Sequence, residues 1–118
     1  TKELGIALIA FSPIGRGAFG GVFRDPATLG ERDIRYPHPR FSAENWPKNL
    51  ALIDQLNALA ARAGVTMAQL AIAWVLSRGD HVHAIPGTTN LVELCHASYQ
   101  LSTAVPGDMA SNLIIWPG

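Results

Sequence analysis

The chain has 118 residues, of which 48% are hydrophobic, and its nine Lys+Arg are balanced by nine Asp+Glu. This length fits one modest domain or part of a larger one. The apolar composition excludes a disordered tail. The zero net charge gives no support for a nucleic-acid partner or an acidic membrane surface. The single cysteine, Cys95, excludes an internal disulfide, and because neither a membrane span nor a signal peptide is visible we expect a cytoplasmic protein.

The first predicted element is a short strand over residues 6–11 (IALIAF), which is apolar on both faces. Such a run is typical of a buried parallel strand. Residues 12–47 then show no sustained periodicity and are punctuated by many Gly and Pro residues, which predicts a long loop. A loop of this length is usually a functional lid or a disordered segment.

An amphipathic helix is predicted over residues 48–63, where Ile53, Leu56 and Ala60 recur at helical spacing. Gly64 can end this helix in the left-handed conformation.

The second helix is predicted to begin at Thr66, because Thr66 and Gln69 fit a capping box, and to stop at Gly79. Residues 70–76 leave it almost no polar face, so we expect it to be covered on most sides.

A second strand is predicted over residues 82–85 (VHAI), and a third helix is predicted to begin near Leu91. Helical connections between apolar strands indicate a parallel α/β architecture. Two strands are too few for an independent sheet with both faces covered. We therefore expect part of a larger β/α fold.

One candidate site is the turn after the first strand, residues 11–17 (FSPIGRG). Ligands bind at the carboxyl ends of strands in β/α folds, glycines let backbone N–H groups approach a phosphate, and Arg16 can supply charge. The alternative is an ordinary Gly/Pro turn, because neither a P-loop nor a GxGxxG pattern is present.

The second candidate, residues 85–90 (IPGTTN), leads from a strand towards a helix N-terminus, which can bind an anion; simple helix capping by Thr or Asn is the alternative. In the loop, Arg32, Arg35 and Arg40 can meet a phosphate or carboxylates, or can lie on a solvated face.

No metal site is predicted, because His81 and His83 have no third ligand at a standard spacing. The three tryptophans are interpreted as packing residues, since no basic stripe accompanies them.

Four segments, in this order, resemble the aldo-keto reductases: residues 4–17, 35–45, 64–76 and 85–88. The first is similar to the family's seventh strand and the loop after it, the second to a long loop of many bacterial members, and the third to the penultimate helix pair. The last is similar to the eighth strand and its loop. The resemblance covers roughly residues 2–94 and implies the C-terminal portion of a (β/α)₈ barrel, here with two parallel strands and covering helices.

The resemblance also implies which residues bind a cofactor. Phe11 stands where an aromatic ring stacks on the nicotinamide. The pyrophosphate loop corresponds to Ser12, Pro13, Ile14, Gly15 and Arg16, and the segment near the adenosine 2′-phosphate corresponds to Gly87, Thr88, Thr89 and Asn90. The implied cofactor is NADP, with NAD as the alternative because Thr89 and Asn90 are neutral where the family often has Lys or Arg.

The family's catalytic Asp, Tyr, Lys and His come from the first half of the barrel and have no counterpart here, so no residue of this chain is predicted to be catalytic. The resemblance implies the cofactor-binding part of a reductase that needs a small-molecule carbonyl substrate and either the missing N-terminal part of the barrel or a partner chain. A non-catalytic nucleotide-binding or barrel-completing module, or a truncated remnant, is the alternative.

Overall fold

The computed structural model describes residues 1–88 and 116–117 of the chain. These residues form two compact units, Thr1–Ile14 with Gln69–Gly118, and Gly15–Ala68. The first unit contains the strands, which are β1 (Leu8–Phe11), β2 (Val82–Ile85), β3 (Gly87–Thr88) and β4 (Trp116–Pro117). The second contains helix α1 (Trp46–Arg62) and the 3₁₀ turns Gly15–Gly17, Pro26–Thr28 and Pro39–Phe41, while helix α2 (Met67–Leu76) begins in the second unit and continues in the first.

Strands β1 and β2 are parallel, with Leu8 opposite Val82 and Phe11 opposite Ile85. The prediction of an α/β fold with parallel strands is therefore confirmed. A second parallel pair joins β3 to β4, with Gly87 opposite Trp116. No sequence pattern predicted this second pair.

The expectation that the first strand is buried on both faces is wrong for the described residues. Leu8, Ile9 and Phe11 are 44%, 49% and 69% exposed. In the part of the chain that the structure describes, β2 is the only strand paired with β1, so solvent reaches β1 at both faces. The strand also begins later than predicted, because the left-handed Gly5 and the bond from the Ile6 amide to the Thr1 carbonyl (3.2 Å) belong to a turn.

Helix α2 packs on β2 through Ile72, Leu76 and Ala84, which are at most 3% exposed. Trp74 lies elsewhere on the helix and is 61% exposed, with the Arg78 guanidinium 4.7 Å from the centre of its ring. The other nine residues of the helix are buried or half-buried, so the expected cover on most sides is confirmed, with Trp74 as the exception.

Helix α1 begins at Trp46, two residues before the predicted start, so the loop predicted over residues 12–47 ends earlier. Pro47 fits the first helical turn because the amides of that turn need no intrahelical acceptor. The Trp46 amide donates instead to the Ser42 carbonyl at 2.8 Å. The rest of the predicted loop is irregular apart from its 3₁₀ turns.

The C-terminus of α1 closes as the sequence predicts. Gly64 is left-handed, with φ 70°, and its amide donates to the Ala61 carbonyl at 3.1 Å. The Val65 amide donates to the Ala60 carbonyl at 3.1 Å. These are the two hydrogen bonds of a Schellman motif, which satisfies the last carbonyls of the helix.

Helix α2 begins at Met67, directly after Thr66, and ends at Leu76 rather than at Gly79. The third helix predicted near Leu91 lies outside the described residues, as does Cys95. Within the described ranges, no single helix is long and apolar enough to cross a membrane.

We expect Gly79→Ala to destabilise the protein more than Gly64→Ala. Both glycines have positive φ. Gly64, with φ 70°, is in the left-handed region, which costs an L residue about 1–2 kcal/mol, and Gly79, with φ 150°, has a backbone that L residues rarely adopt. A Cβ at Gly64 meets open space, whereas one at Gly79 would lie 2.8 Å from the His81 ring, adding about 1–3 kcal/mol of overlap. Urea denaturation of both variants measures the difference, and His81→Ala should reduce it. Equal losses in the two variants would contradict this packing.

Candidate functional site

The parallel register brings two of the predicted segments to one edge of the sheet. Phe11 and Ile85 are opposite each other at the carboxyl ends of β1 and β2. The chain therefore leaves both strands at the same edge, through Ser12 and through Pro86. This is the edge at which β/α folds bind their ligands.

At this edge, Phe11 and Ile14 differ in what they present. The Phe11 side chain is 69% exposed and offers a flat aromatic face. Ile14 instead packs against the core formed by α2 and β2. Among the predicted binding residues at the end of β1 and in the turn after it, Phe11 presents its ring, whereas Ile14 is available chiefly through its backbone.

The turn that follows β1 has an unusual backbone. Ser12 (φ 51°) and Arg16 (φ 55°) are the non-glycine residues with positive φ among those the structure describes. Gly15 and Gly17, on either side of Arg16, are also left-handed, with φ 61° and 88°. Turns of this kind can direct successive N–H groups towards an anion, and strained residues cluster at binding sites.

In the second predicted segment, Gly87 and Thr88 form β3. Gly87 is exposed, and a Cβ added to it would meet no atom within 4 Å. A ligand can therefore approach this backbone closely. Thr89 and Asn90 lie outside the described residues.

The three loop arginines differ in their contacts, and Arg35 is fixed by Asp33 and Phe23. Its Nε and Nη2 donate to the two carboxylate oxygens of Asp33 at 2.9 and 2.7 Å. Its guanidinium carbon lies 4.6 Å from the centre of the Phe23 ring. Arg32 and Arg40 are exposed, in agreement with the solvated alternative.

An aromatic cluster organises the second unit. Phe23 packs edge-on against Phe41 and Trp46, with ring centres 5.7 and 5.0 Å apart. The Trp46 indole donates to the Arg24 carbonyl at 2.8 Å, and Arg24 pairs with Asp54 at 2.6 Å. Trp46 is thus a packing residue, as predicted, whereas the same prediction is wrong for Trp74, which is 61% exposed. A cavity of about 430 Å³ beside the cluster is lined by Tyr36, Phe41, Trp46 and neighbouring residues.

Arginine pairing lowers the pKa of two carboxyl groups in this unit. The side-chain hydrogen bonds from Arg35 bring the pKa of Asp33 from 3.8 to about 2, and the hydrogen bonds from Arg24 lower the pKa of Asp54. Among residues 1–88 and 116–117, no group of three His, Cys, Asp or Glu side chains is arranged to hold a metal ion.

Residues 1–105 match the model of a family described as the aldo/keto reductase family. The chain is 44% identical over 95 residues to the probable aldo-keto reductase 1 of Glycine max, covering 79% of this chain and 27% of that protein. It is 37% identical over 87 residues to the aldo-keto reductase yakc of Schizosaccharomyces pombe, whose name carries NADP(+), covering 74% of this chain and 26% of the relative. The chain therefore spans about a quarter of the length of these relatives.

The fold is similar to that of a solved structure, the glycerol dehydrogenase AKR11B4 from Gluconobacter oxydans. The TM-score is 0.67 at 24% identity, and the match covers 91% of this chain and 37% of that one. At this level of identity the likeness shows the fold alone.

We expect the stabilisation from the Asp33–Arg35 pair to depend on acid pH. Because the pKa of Asp33 falls from 3.8 to about 2 on folding, the pair stabilises the protein above pH 3.8 and loses its effect as the pH falls through 2. The difference in free energy of unfolding between wild type and Asp33→Asn should be constant near neutral pH and shrink across this interval. Glu31→Gln, which removes an exposed carboxylate of the same loop, is the control. A difference that persists unchanged at the lowest pH would contradict the pairing.

Proposed function

The chain belongs to the aldo/keto reductase family, and from this membership we propose that it is the C-terminal, cofactor-binding part of an NAD(P)H-dependent oxidoreductase. The reaction proposed for the whole enzyme is hydride transfer between a nicotinamide cofactor and a small-molecule carbonyl or alcohol.

One observation carries this proposal. The ends of β1 and β2 meet in register, with the exposed ring of Phe11 and the open backbone of Gly87 beyond the same edge. An aromatic face and a backbone free of side-chain obstruction suit a ligand that combines a flat ring with phosphates. These two features support a nicotinamide dinucleotide as the proposed ligand.

Each part of the cofactor has proposed binding residues. Phe11 stacks on the nicotinamide ring, and the segment from Ser12 to Arg16 lies against the pyrophosphate, where the backbone N–H groups donate and the guanidinium supplies positive charge. The adenosine end is held by Gly87, Thr88, Thr89 and Asn90. When bound, the nicotinamide would supply the hydride; Phe11 would orient the ring, and Arg16 would offset part of the negative charge of the phosphates.

The proposed cofactor is NADP, with NAD as the alternative. A relative from Schizosaccharomyces pombe carries NADP(+) in its name, which supports the first. The neutral side chains of Thr89 and Asn90 support the second, because a 2′-phosphate contact without a cation is weaker.

No residue of this chain is proposed to be catalytic. In the reaction, a general acid must protonate the carbonyl oxygen as hydride reaches the carbon. Tyr36 is 55% exposed in the long loop and lies outside the segments that resemble the family's binding motifs, so it is not assigned this role. The acid and the substrate pocket are proposed to come from the first half of the barrel or from a partner chain.

A second candidate is a module that completes a barrel or binds a nucleotide without performing catalysis. The exposed apolar strand β1 favours it, because Leu8, Ile9 and Phe11 offer a surface that another polypeptide can cover.

An activity assay separates the two candidates. The complete polypeptide should oxidise NADPH only when a small aldehyde is present and should form the alcohol in equal amount. The 118-residue chain alone should bind cofactor weakly or not at all and should form no product, since it lacks the general acid. Product formation by the purified chain would contradict this division of roles.

We expect Arg16→Ala to weaken binding of NADPH by the complete polypeptide by about 10- to 100-fold, because a hydrogen bond to a charged group contributes about 1.5–3 kcal/mol. Calorimetric titration with NADPH gives the dissociation constant. Arg16→Gly accepts the left-handed backbone without strain, so equal losses in both variants would assign the effect to the guanidinium. Arg62→Ala, at the exposed end of α1, is the control and should leave binding unchanged. Wild-type affinity in both Arg16 variants would reject this role.

A further inference from the structure

The Arg35 guanidinium is held on two sides by its own unit. Along one edge, Nε and Nη2 donate to both oxygens of Asp33. One face lies against the Phe23 ring. The Asp33 carboxylate also accepts the Arg35 backbone amide at 2.9 Å, so the loop and the side chain are fixed by the same group. A guanidinium held in this way has little rotational freedom left to lose.

The remaining nitrogen, Nη1, lies near the turn that contains Arg16. A Cβ built on Gly17 would be 3.5 Å from Nη1, so little more than the space of one methyl group separates the guanidinium from the Gly17 Cα. The same turn is closed by the Ala18 amide bonding to the Gly15 carbonyl at 3.2 Å and by the Gly20 amide bonding to the Gly17 carbonyl at 3.1 Å.

We propose that Arg35, fixed by Asp33 and Phe23, is a positioning residue that braces the Gly15–Gly17 turn and keeps Arg16 in the conformation that receives the diphosphate of a dinucleotide. This inference rests on the function proposed above for Arg16. Arg35 itself does not touch the ligand in this scheme, since its charge is already balanced by Asp33. It acts through the backbone of the turn.

The physical reason is the strain in the turn. Gly15, Arg16 and Gly17 are consecutive left-handed residues, and an unsupported turn of this kind has many relaxed alternatives. Each alternative must be given up when a ligand binds. A brace that removes them beforehand lowers the cost of binding without adding a contact to the ligand.

The first test measures the turn without any ligand. Amide hydrogen exchange at Ala18 and Gly20 of the complete polypeptide should be on the order of three- to tenfold faster in Asp33→Asn. Asparagine keeps one side-chain oxygen that can accept from the Arg35 backbone amide. It cannot accept the two charged hydrogen bonds that the Arg35 guanidinium donates to the Asp33 carboxylate. Asp54→Asn is the matched control, because it breaks the Arg24–Asp54 pair of the same unit and should leave both amides unchanged.

The second test measures binding of NADPH by the same polypeptides. Asp33→Asn and Arg35→Ala should raise the dissociation constant about three- to tenfold, while Asp54→Asn should not. Arg35→Lys, which retains the charge but cannot reproduce the flat brace, should resemble Arg35→Ala. In an Arg16→Ala background the Asp33→Asn change should have no further effect, because the brace acts through Arg16.

The two tests distinguish failure of the Arg35 brace from failure of the proposed function. Unchanged exchange at Ala18 and Gly20, with normal wild-type binding of NADPH, would overturn the brace and leave the proposed function standing. Equal losses of affinity in Asp33→Asn and Asp54→Asn would also overturn it, since they would reflect stability alone. If the wild-type polypeptide bound neither NADPH nor NADH, the proposed function would fail, and the ligand assigned to the braced turn would fail with it.

Discussion

The parallel register between β1 and β2 determines the geometry of the predicted cofactor edge. Parallel strands cannot be joined by a tight turn, and here α2 leads into β2 and packs on Ala84. With Phe11 opposite Ile85, the two strands end together. A shift of one residue would turn the Phe11 side chain to the other face of the sheet. In the proposed site, this register places the aromatic ring and the open Gly87 backbone beyond the same edge of the sheet.

Strain in the backbone is concentrated where the chain leaves β1. Glycine normally occupies left-handed positions, and it does so at Gly15 and Gly17. Ser12 and Arg16 adopt the same region at a cost of about 1–2 kcal/mol each. Glycine at either position would remove that cost but also the side chain. Strained non-glycine residues of this kind are found at binding sites, which supports the proposal that this turn receives a ligand.

The elements that the sequence predicted best are those determined by local patterns. The bounds of β2 and the closure of α1 at Gly64 follow from short apolar runs and glycine chemistry. The Asp33–Arg35 pair and its contact with Phe23 depend on how a loop folds back on itself, which no periodicity encodes. The exposure of β1 was also mispredicted. An apolar run shows that a strand favours a buried position, but it does not show which elements cover the strand, and among the described residues β1 pairs only with β2. Residues 89–115 lie outside the described part of the chain, so the binding roles of Thr89 and Asn90 stay predictions.

The distribution of positive charge bears on how a dinucleotide would be recognised. Arg24 and Arg35 are each paired with an aspartate, so their charges are largely balanced within their own unit. If Thr89 and Asn90 face the 2′-phosphate, these two residues offer it dipoles rather than a cation, so they add little discrimination between NADP and NAD. The electrostatic contribution of this chain then falls mainly on the diphosphate, which both cofactors share. Under this arrangement the conformation of the Gly15–Gly17 turn affects affinity for both cofactors alike.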